Sequence, residues 1–319
     1  MNVPQDRSFL QIEKEELEKI HSYIKNSKSH NTQKSYSSDW KHFSAWCEKK
    51  RRNPLPASVG TICLYISELA ETHKFTTLRR RLSAIGEAHR YKKYPSPTKQ
   101  LEVRSLMEGI KRKKGARQKP KKALMLQILP DLIKKIDQSS LSGHRDKAII
   151  LLGFALASRR SELVSINIDD LEINDFGMDV IIRETKTKRD CLIKSVLFTY
   201  NEFCPVKATQ EWLQVSGITS GALFRSIDRH GNVKDRLSDK SIALIVKKYV
   251  GQLGMNVSDF SAHSLRSGLA TSAAMLGMTD IAIMKQTGHK TRGMVDRYVQ
   301  AGLRYKNNAS SILKNLKYE

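Results

Sequence analysis

Cysteine is scarce and scattered. The 319 residues hold four (Cys47, Cys63, Cys191, Cys204), with no CxxC pair and no histidine at a zinc-binding interval. That argues against a disulfide framework and a structural zinc site, and implies free thiols in a reducing cytoplasm. No apolar run approaches the length of a membrane span. The N-terminus, MNVPQDRSFLQIEKEELEK, starts polar and turns acidic, unlike a signal peptide. The densest acidic stretch, NIDDLEIND, is more simply a capping or solvating segment than a carboxylate cage for divalent metals. No internal repeat and no Pro- or Gly-rich low-complexity segment occurs. These absences leave a cytoplasmic globular protein long enough for two domains, with no metal, cofactor or membrane implied.

What the chain has in excess is positive charge. Lysine and arginine total 56 against 32 aspartates and glutamates, a formal net charge of +24. Such an excess implies a polyanionic partner, with nucleic acid ahead of a membrane surface because no basic amphipathic anchor helix is evident. The charge is uneven. Residues 1–122 carry 28 basic and 12 acidic residues, and residues 123–319 carry 28 and 20.

Hydrophobic periodicity divides the chain into a helical first third and a mixed remainder. Asn31 or Ser29 can cap a helix with Tyr36, Trp40, Phe43 and Cys47 on one face. A second helix follows Pro56, with Val59, Ile62, Cys63, Ile66 and Ala70 inward. A third starts near Thr76, with Leu78, Leu82, Ile85 and Ala88 inward and Arg79, Arg80, Arg81 and Arg90 expected outward. A fourth spans Leu101 to Ile110 and runs into KRKKGARQKPKK, residues 111–122, with eight basic residues and no acidic one. That segment reads as the domain boundary and also as a phosphate-binding strap, through Lys111, Arg112, Lys113, Lys114, Lys119, Lys121 and Lys122. Beyond it, LPDLIKKID and RDKAIILLGFALASRRSELVSI have helical periodicity. MDVIIRETKTKRDCLIKSVL has two β-branched runs around a polar turn and predicts a hairpin. Helices return in DKSIALIVKKYV, SAHSLRSGLATSAAMLG and TDIAIMKQTG. A last helix, NASSILKNL, has Ala309, Ile312, Leu313 and Leu316 on one stripe.

The second part holds the components of metal-free phosphodiester chemistry: a nucleophile, cations to neutralise phosphate, and an acid for the leaving oxygen. SAHSLRSG places His263 and Arg266 three apart on one helix face. ASRRSEL supplies two arginines and Glu162, the hairpin turn offers Lys186 and Lys188, and GHKTRGMVDRYVQ supplies His289 and, nine residues on, Tyr298. Singly, each has a plainer explanation as a cap, an ion-pair partner or a packing residue. Together and in this order they are a coherent set.

In that order the motifs RRSEL, TKTK, HSLR, GH and Tyr resemble the tyrosine recombinase family, the lambda-integrase-like enzymes of Cre and Xer type. The 23-residue interval from Arg266 to His289 also matches. The resemblance covers residues 123–305, and TTLRRRLSAIGEAHR resembles the family's core-binding domain. It implies a mainly α protein: an extension (1–20), a helical, SAM-like core-binding domain (21–110), the basic linker (111–122), a mixed α/β catalytic domain with a small antiparallel sheet (123–305) and a tail helix (306–319). No arm-binding domain is expected ahead of residue 20.

Residue by residue, the resemblance implies that Arg159, with Arg160 as the alternative, and Arg266 clamp the scissile phosphate. Lys186, or Lys188, protonates the departing 5′ oxygen. His263 assists proton transfer, His289 holds the phosphate, Glu162 orients from behind, and Tyr298 is the nucleophile that forms a 3′-phosphotyrosyl link. It further implies double-stranded DNA with a specific site as partner, two domains on opposite sides of the duplex, and a synaptic tetramer on DNA in which the tail docks on a neighbour. No cofactor is required, and the workplace is the nucleoid. Two other classes fit parts of the pattern. GLATSAAMLGMTDIAIMKQTGH alone reads as a helix-turn-helix of a non-catalytic regulator, and a type IB topoisomerase would share the nucleophile.

Overall fold

The computed structural model describes residues 23, 27–115, 120–183, 191–303, 310 and 312–313. The chain divides into two compact units, Met1–Lys119 and Pro120–Glu319. The division falls inside the predicted linker, but the linker is shorter than its charge run. Lys111–Lys114 form the last turn of a helix, while Lys121 and Lys122 bond to Ser258 and Asp259 of the second unit.

Among its described residues the first unit is helical: α1 (His30–Lys49), α2 (Val59–Thr72), α3 (Phe75–Tyr91) and α4 (Leu101–Lys114). Of the two candidate caps of α1, Ser29 is the one that acts, its Oγ accepting from the Thr32 N–H. Ser58 caps α2 in the same way. The core gathers Phe43, Cys47, Ile62, Tyr65, Ile66, Leu78, Leu82 and Ile85, with the Phe43 and Tyr65 rings edge-on at 4.9 Å.

In the second unit, α5 (Leu129–Lys134) leads to α6 (Leu141–Ala155), whose Ala148 to Leu152 are all buried. A helix hydrophobic all round belongs at the centre of a domain. It packs against α8 (Pro205–Ser216) and α10 (His263–Met275). The long helix expected across RDKAIILLGFALASRRSELVSI is in fact two. α6 ends near Ala155, Ala157 takes a left-handed φ of 46°, and a short α7 (Arg160–Ser165) begins beyond the break. β1 (Leu171–Asn174), β2 (Gly177–Ile182) and β3 (Leu192–Leu197) form an antiparallel sheet in that order, and Ile182 pairs with Leu192 at the turn end of the predicted hairpin. The sheet buries Met178, Val180 and Ile182 on one face by strict alternation.

A second, two-stranded hairpin, β4 (Arg225–Ile227) with β5 (Val233–Arg236), precedes α9 (Asp239–Gln252). The unit closes with α11 (Asp280–Thr287) and α12 (Arg292–Gly302). α10 and α11 meet at a tight turn, as the helix-turn-helix pattern predicts. Here α12 seals both, burying Val295 and Tyr298 against Ala270, Ala274 and Ile283. No helix among the described residues is long and apolar enough to cross a membrane.

Candidate active site and nucleic-acid interface

The local fold of each motif explains where its side chains go. The break after α6 puts Arg159 at the N-terminus of α7. There the Glu162 carboxylate accepts the Arg159 backbone N–H at 2.9 Å and also pairs with its guanidinium. Glu162 is only 3% exposed. Burial, the largest influence, pushes its pKa up. The two Arg159 hydrogen bonds and the charges of Arg159 and Lys194 outweigh burial and hold it below the usual carboxylate range. Arg160 turns away and pairs with Asp239.

Arg266 lies on the inner face of α10 and is 1% exposed. One arm donates to the Ala157 carbonyl at 2.8 Å, the other to His289 Nε2 at 2.9 Å. The Gly-His pair has a backbone reason. Gly288, at φ 67°, ends α11 in the left-handed region, its N–H bonding back to the Met284 carbonyl. The chain thereby reverses and brings His289 to Arg266. Because an arginine can only donate, His289 Nε2 is an acceptor. Nδ1 therefore carries the proton and donates to Thr287 Oγ1 at 2.8 Å. Burial and the neighbouring Arg266, Arg159, Arg297 and His263 lower the His289 pKa to about 4.

Tyr298 lies at the inner face of α12, 5% exposed. Its hydroxyl is 3.2 Å from His263 Nε2 and accepts from Arg297 at 2.9 Å, and its ring stacks on His289 at 5.8 Å. Burial, then Arg266, Arg297 and Arg159, lower the His263 pKa, so that ring is neutral at pH 7 and can take the phenol proton. The structure thus brings Arg159, Glu162, His263, Arg266, His289 and Tyr298 together from four separate segments. Lys186 and Lys188 lie outside the described residues. Two neighbours of this cluster stand outside the predicted site set: Arg297, one residue before the phenol, and Lys194 on β3. No local signal marks Lys194, since alternation along β3 does not by itself tell which of Ile193 and Lys194 faces inward.

The matches to known proteins agree with this geometry. Residues 122–303 match the model of the phage integrase family. The chain belongs to that family. An integrase/recombinase XerD homolog of Selenomonas ruminantium is 41% identical over 299 residues, 92% of this chain and 88% of that protein. The tyrosine recombinase XerA of Pyrococcus horikoshii is 28% identical, over 77% of this chain and 83% of its own length. The fold resembles that of the XerH site-specific recombinase crystallised on palindromic difH substrate, with TM-score 0.60 at 16% identity over 81% of this chain and 72% of that one. This integrase-family chain is accordingly a tyrosine recombinase, an enzyme of DNA strand breakage and rejoining.

The candidate DNA-contacting cations separate by environment. Arg81 is corrected: it is 8% exposed, donates to the Tyr65 hydroxyl at 2.6 Å and lies beside the buried Asp39. The reason is helix geometry, since position 81 falls three after Leu78 and four before Ile85, on the inward stripe. Arg79 and Arg90 face outward, Arg90 pairing with Glu87, and Arg80 pairs with Asp39. A groove of about 870 Å³ in the first unit is lined by Arg79, Arg90, Arg104 and Arg112. Lys111 pairs with Glu108, Arg112 and Lys113 are exposed, and Lys114 Nζ donates to the Glu71 and His73 carbonyls at the end of α2. Lys119 lies outside the described residues.

Proposed function

We propose that the chain is a site-specific recombinase in which Tyr298 attacks the scissile phosphate held by Arg159 and Arg266. The carrying observation is the shared position of the Tyr298 hydroxyl, His263 and Arg297, next to the His289–Arg266 pair. The Tyr298 oxygen bonds to phosphorus as His263 takes the phenol proton. The bond to the 5′ oxygen breaks, and that oxygen takes a proton from a hairpin lysine, Lys186 or Lys188. The products are a 3′-phosphotyrosyl link and a free 5′ hydroxyl. The link keeps the energy of the broken ester, so a 5′ hydroxyl from the partner strand can attack it and rejoin the strands through a Holliday junction without ATP. Arg159 and Arg266 suit the clamp because a planar, permanently charged guanidinium donates two hydrogen bonds to phosphate oxygens. Arg160 is committed to Asp239, which favours Arg159 for that role.

The partner in this reading is a double-stranded site on chromosomal DNA, approached by the groove that holds Arg79, Arg90 and Arg112 and by the exposed end of the basic segment, with affinity falling steeply with salt. Two copies of the site are brought together by a tetramer, with residues 306–319 docking on a neighbouring subunit. Most of that tail lies outside the described residues; Ile312 and Leu313 are exposed. The test is a plasmid carrying two copies of DNA from the flanks of the gene, incubated with the chain in EDTA. A deletion or inversion product that requires both copies supports site-specific recombination. Relaxation of any supercoiled plasmid, with no recombinant, would indicate a topoisomerase instead. Truncation after residue 305 is expected to leave single-site binding intact and weaken assembly in sedimentation on DNA.

A further inference from the structure

β3 breaks its own hydrophobic pattern. Ile193 and Leu197 are exposed, Ile193 at 61%, while Lys194 is 3% exposed on the face that also buries Val196. A strand that turns an isoleucine outward and a lysine inward accepts a considerable desolvation cost, and such local violations mark functional positions. The Lys194 ammonium donates to the Leu156 carbonyl at 2.7 Å. It does so within a set of three. At the frayed end of α6, the Ala155 carbonyl accepts from Gln286 of α11, the Leu156 carbonyl from Lys194, and the Ala157 carbonyl from Arg266 of α10. Cationic donors suit the negative end of a helix. This is also the turn with Ala157 in the left-handed region, a conformation that persists only when its surroundings hold it. The charged groups acting on Lys194 are Glu162, Arg266 and Arg159. Burial lowers its pKa to about 8, with the two arginines adding to the effect and Glu162 opposing it.

We infer that Lys194 is a positioning residue for phosphodiester cleavage: it clamps the Leu156–Arg159 turn so that Arg159 and Arg266 address one phosphate. This rests on the reading of the site given above. In this reading Lys194 does not protonate the leaving group: it is buried, with one of its three N–H groups held by the Leu156 carbonyl, and that task falls to the hairpin lysines.

The two tasks separate on a DNA substrate whose 5′-bridging oxygen is replaced by sulfur. The departing thiolate needs no proton, since a thiol has a pKa of about 8.5. Adduct formation is measured for wild type, K194M, K194R and the double variant K186A/K188A on oxygen and sulfur substrates, with DNA affinity and melting followed in parallel. K194M is expected to form adduct at least ~10-fold more slowly on both substrates, with DNA affinity within about 3-fold of wild type. K194R, which keeps donor and charge, is expected to recover to within about 3-fold. K186A/K188A is expected to be slow on oxygen and restored on sulfur. A K194M chain that cleaves at the wild-type rate overturns the inference. So does a K194M defect that sulfur repairs, because Lys194 would then be the acid. Should K194M lack a cooperative melt, K194Q, which keeps a donor but not the charge, is read on the same substrates against the same two outcomes. Absence of adduct from wild type would instead overturn the reading of the site.

Discussion

Replacing Glu162 by glutamine is the most informative stability test of the site. The carboxylate is buried, accepts the Arg159 N–H and pairs with the Arg159 guanidinium, in a neighbourhood that also holds Lys194 and Arg266. Glutamine preserves one carbonyl acceptor for the backbone N–H, so most of the capping contribution survives. What is lost is the negative charge that faces Arg159, Lys194 and Arg266. Breaking a buried ion pair from one side costs about 3–5 kcal/mol; with the cap retained, about 3 kcal/mol is expected. For a unit of this size that lowers the melting temperature by about 6–12 °C. The sign with pH follows from the depressed pKa of Glu162. Its stabilisation is fully present above the unfolded carboxylate pKa and is lost as pH falls through the lower folded value. Urea unfolding of wild type and E162Q at pH 7, with equal m-values, measures the difference, and the gap should narrow in acid. A difference under about 0.5 kcal/mol at pH 7 would refute the buried-pair account.

Three further outcomes are expected. Gly268→Ala should destabilise the second unit by about 3 kcal/mol or more, since an added Cβ would lie 1.8 Å from the Leu124 carbonyl oxygen, on a segment tied to α10 by the Leu124 N–H bond to Ser264; thermal melts check this. Arg81→Ala should cost the first unit about 2 kcal/mol by leaving Tyr65 and Asp39 short of a partner, whereas Arg79→Ala should leave stability unchanged and reduce the slope of log affinity against log salt by about 1. His289 is held neutral in the fold, so its stabilisation is complete above the unfolded pKa of about 6.5 and is lost as pH falls from there towards about 4. The wild-type-minus-H289Q stability difference, measured in urea, should therefore shrink between pH 7 and pH 5.

The elements that were legible in the sequence share one property: their signals are local. The helix cap at Ser29, the β-branched runs of β2 and β3, and the Gly-His turn each follow from a few neighbouring residues. The ordered motifs brought out Arg159, His263, Arg266, His289 and Tyr298, and the structure gathers all five. What escaped depended on less direct context. Arg81 reads as a surface cation in a basic run until its place on the inward stripe is counted. The break between α6 and α7 is invisible in composition, because Leu156–Ser158 carry no Gly or Pro and the turn is held by donors from β3, α10 and α11. α8 was bracketed by Pro205 at its start and Gly217 in the left-handed region at its end, signals that were present but unused. Lys194 hid for a tertiary reason: only the register of β3 tells which of Ile193 and Lys194 faces inward.

The central claim, that Tyr298 forms the covalent link, is tested most directly by a denaturing gel. Labelled DNA from the flanks of the gene is mixed in EDTA with wild type and with Tyr298→Phe, which keeps the ring stacked on His289 but removes the hydroxyl. A slow-migrating, protease-sensitive band is expected from wild type alone, with both proteins retaining native DNA binding. An adduct of equal yield from Tyr298→Phe would contradict the account.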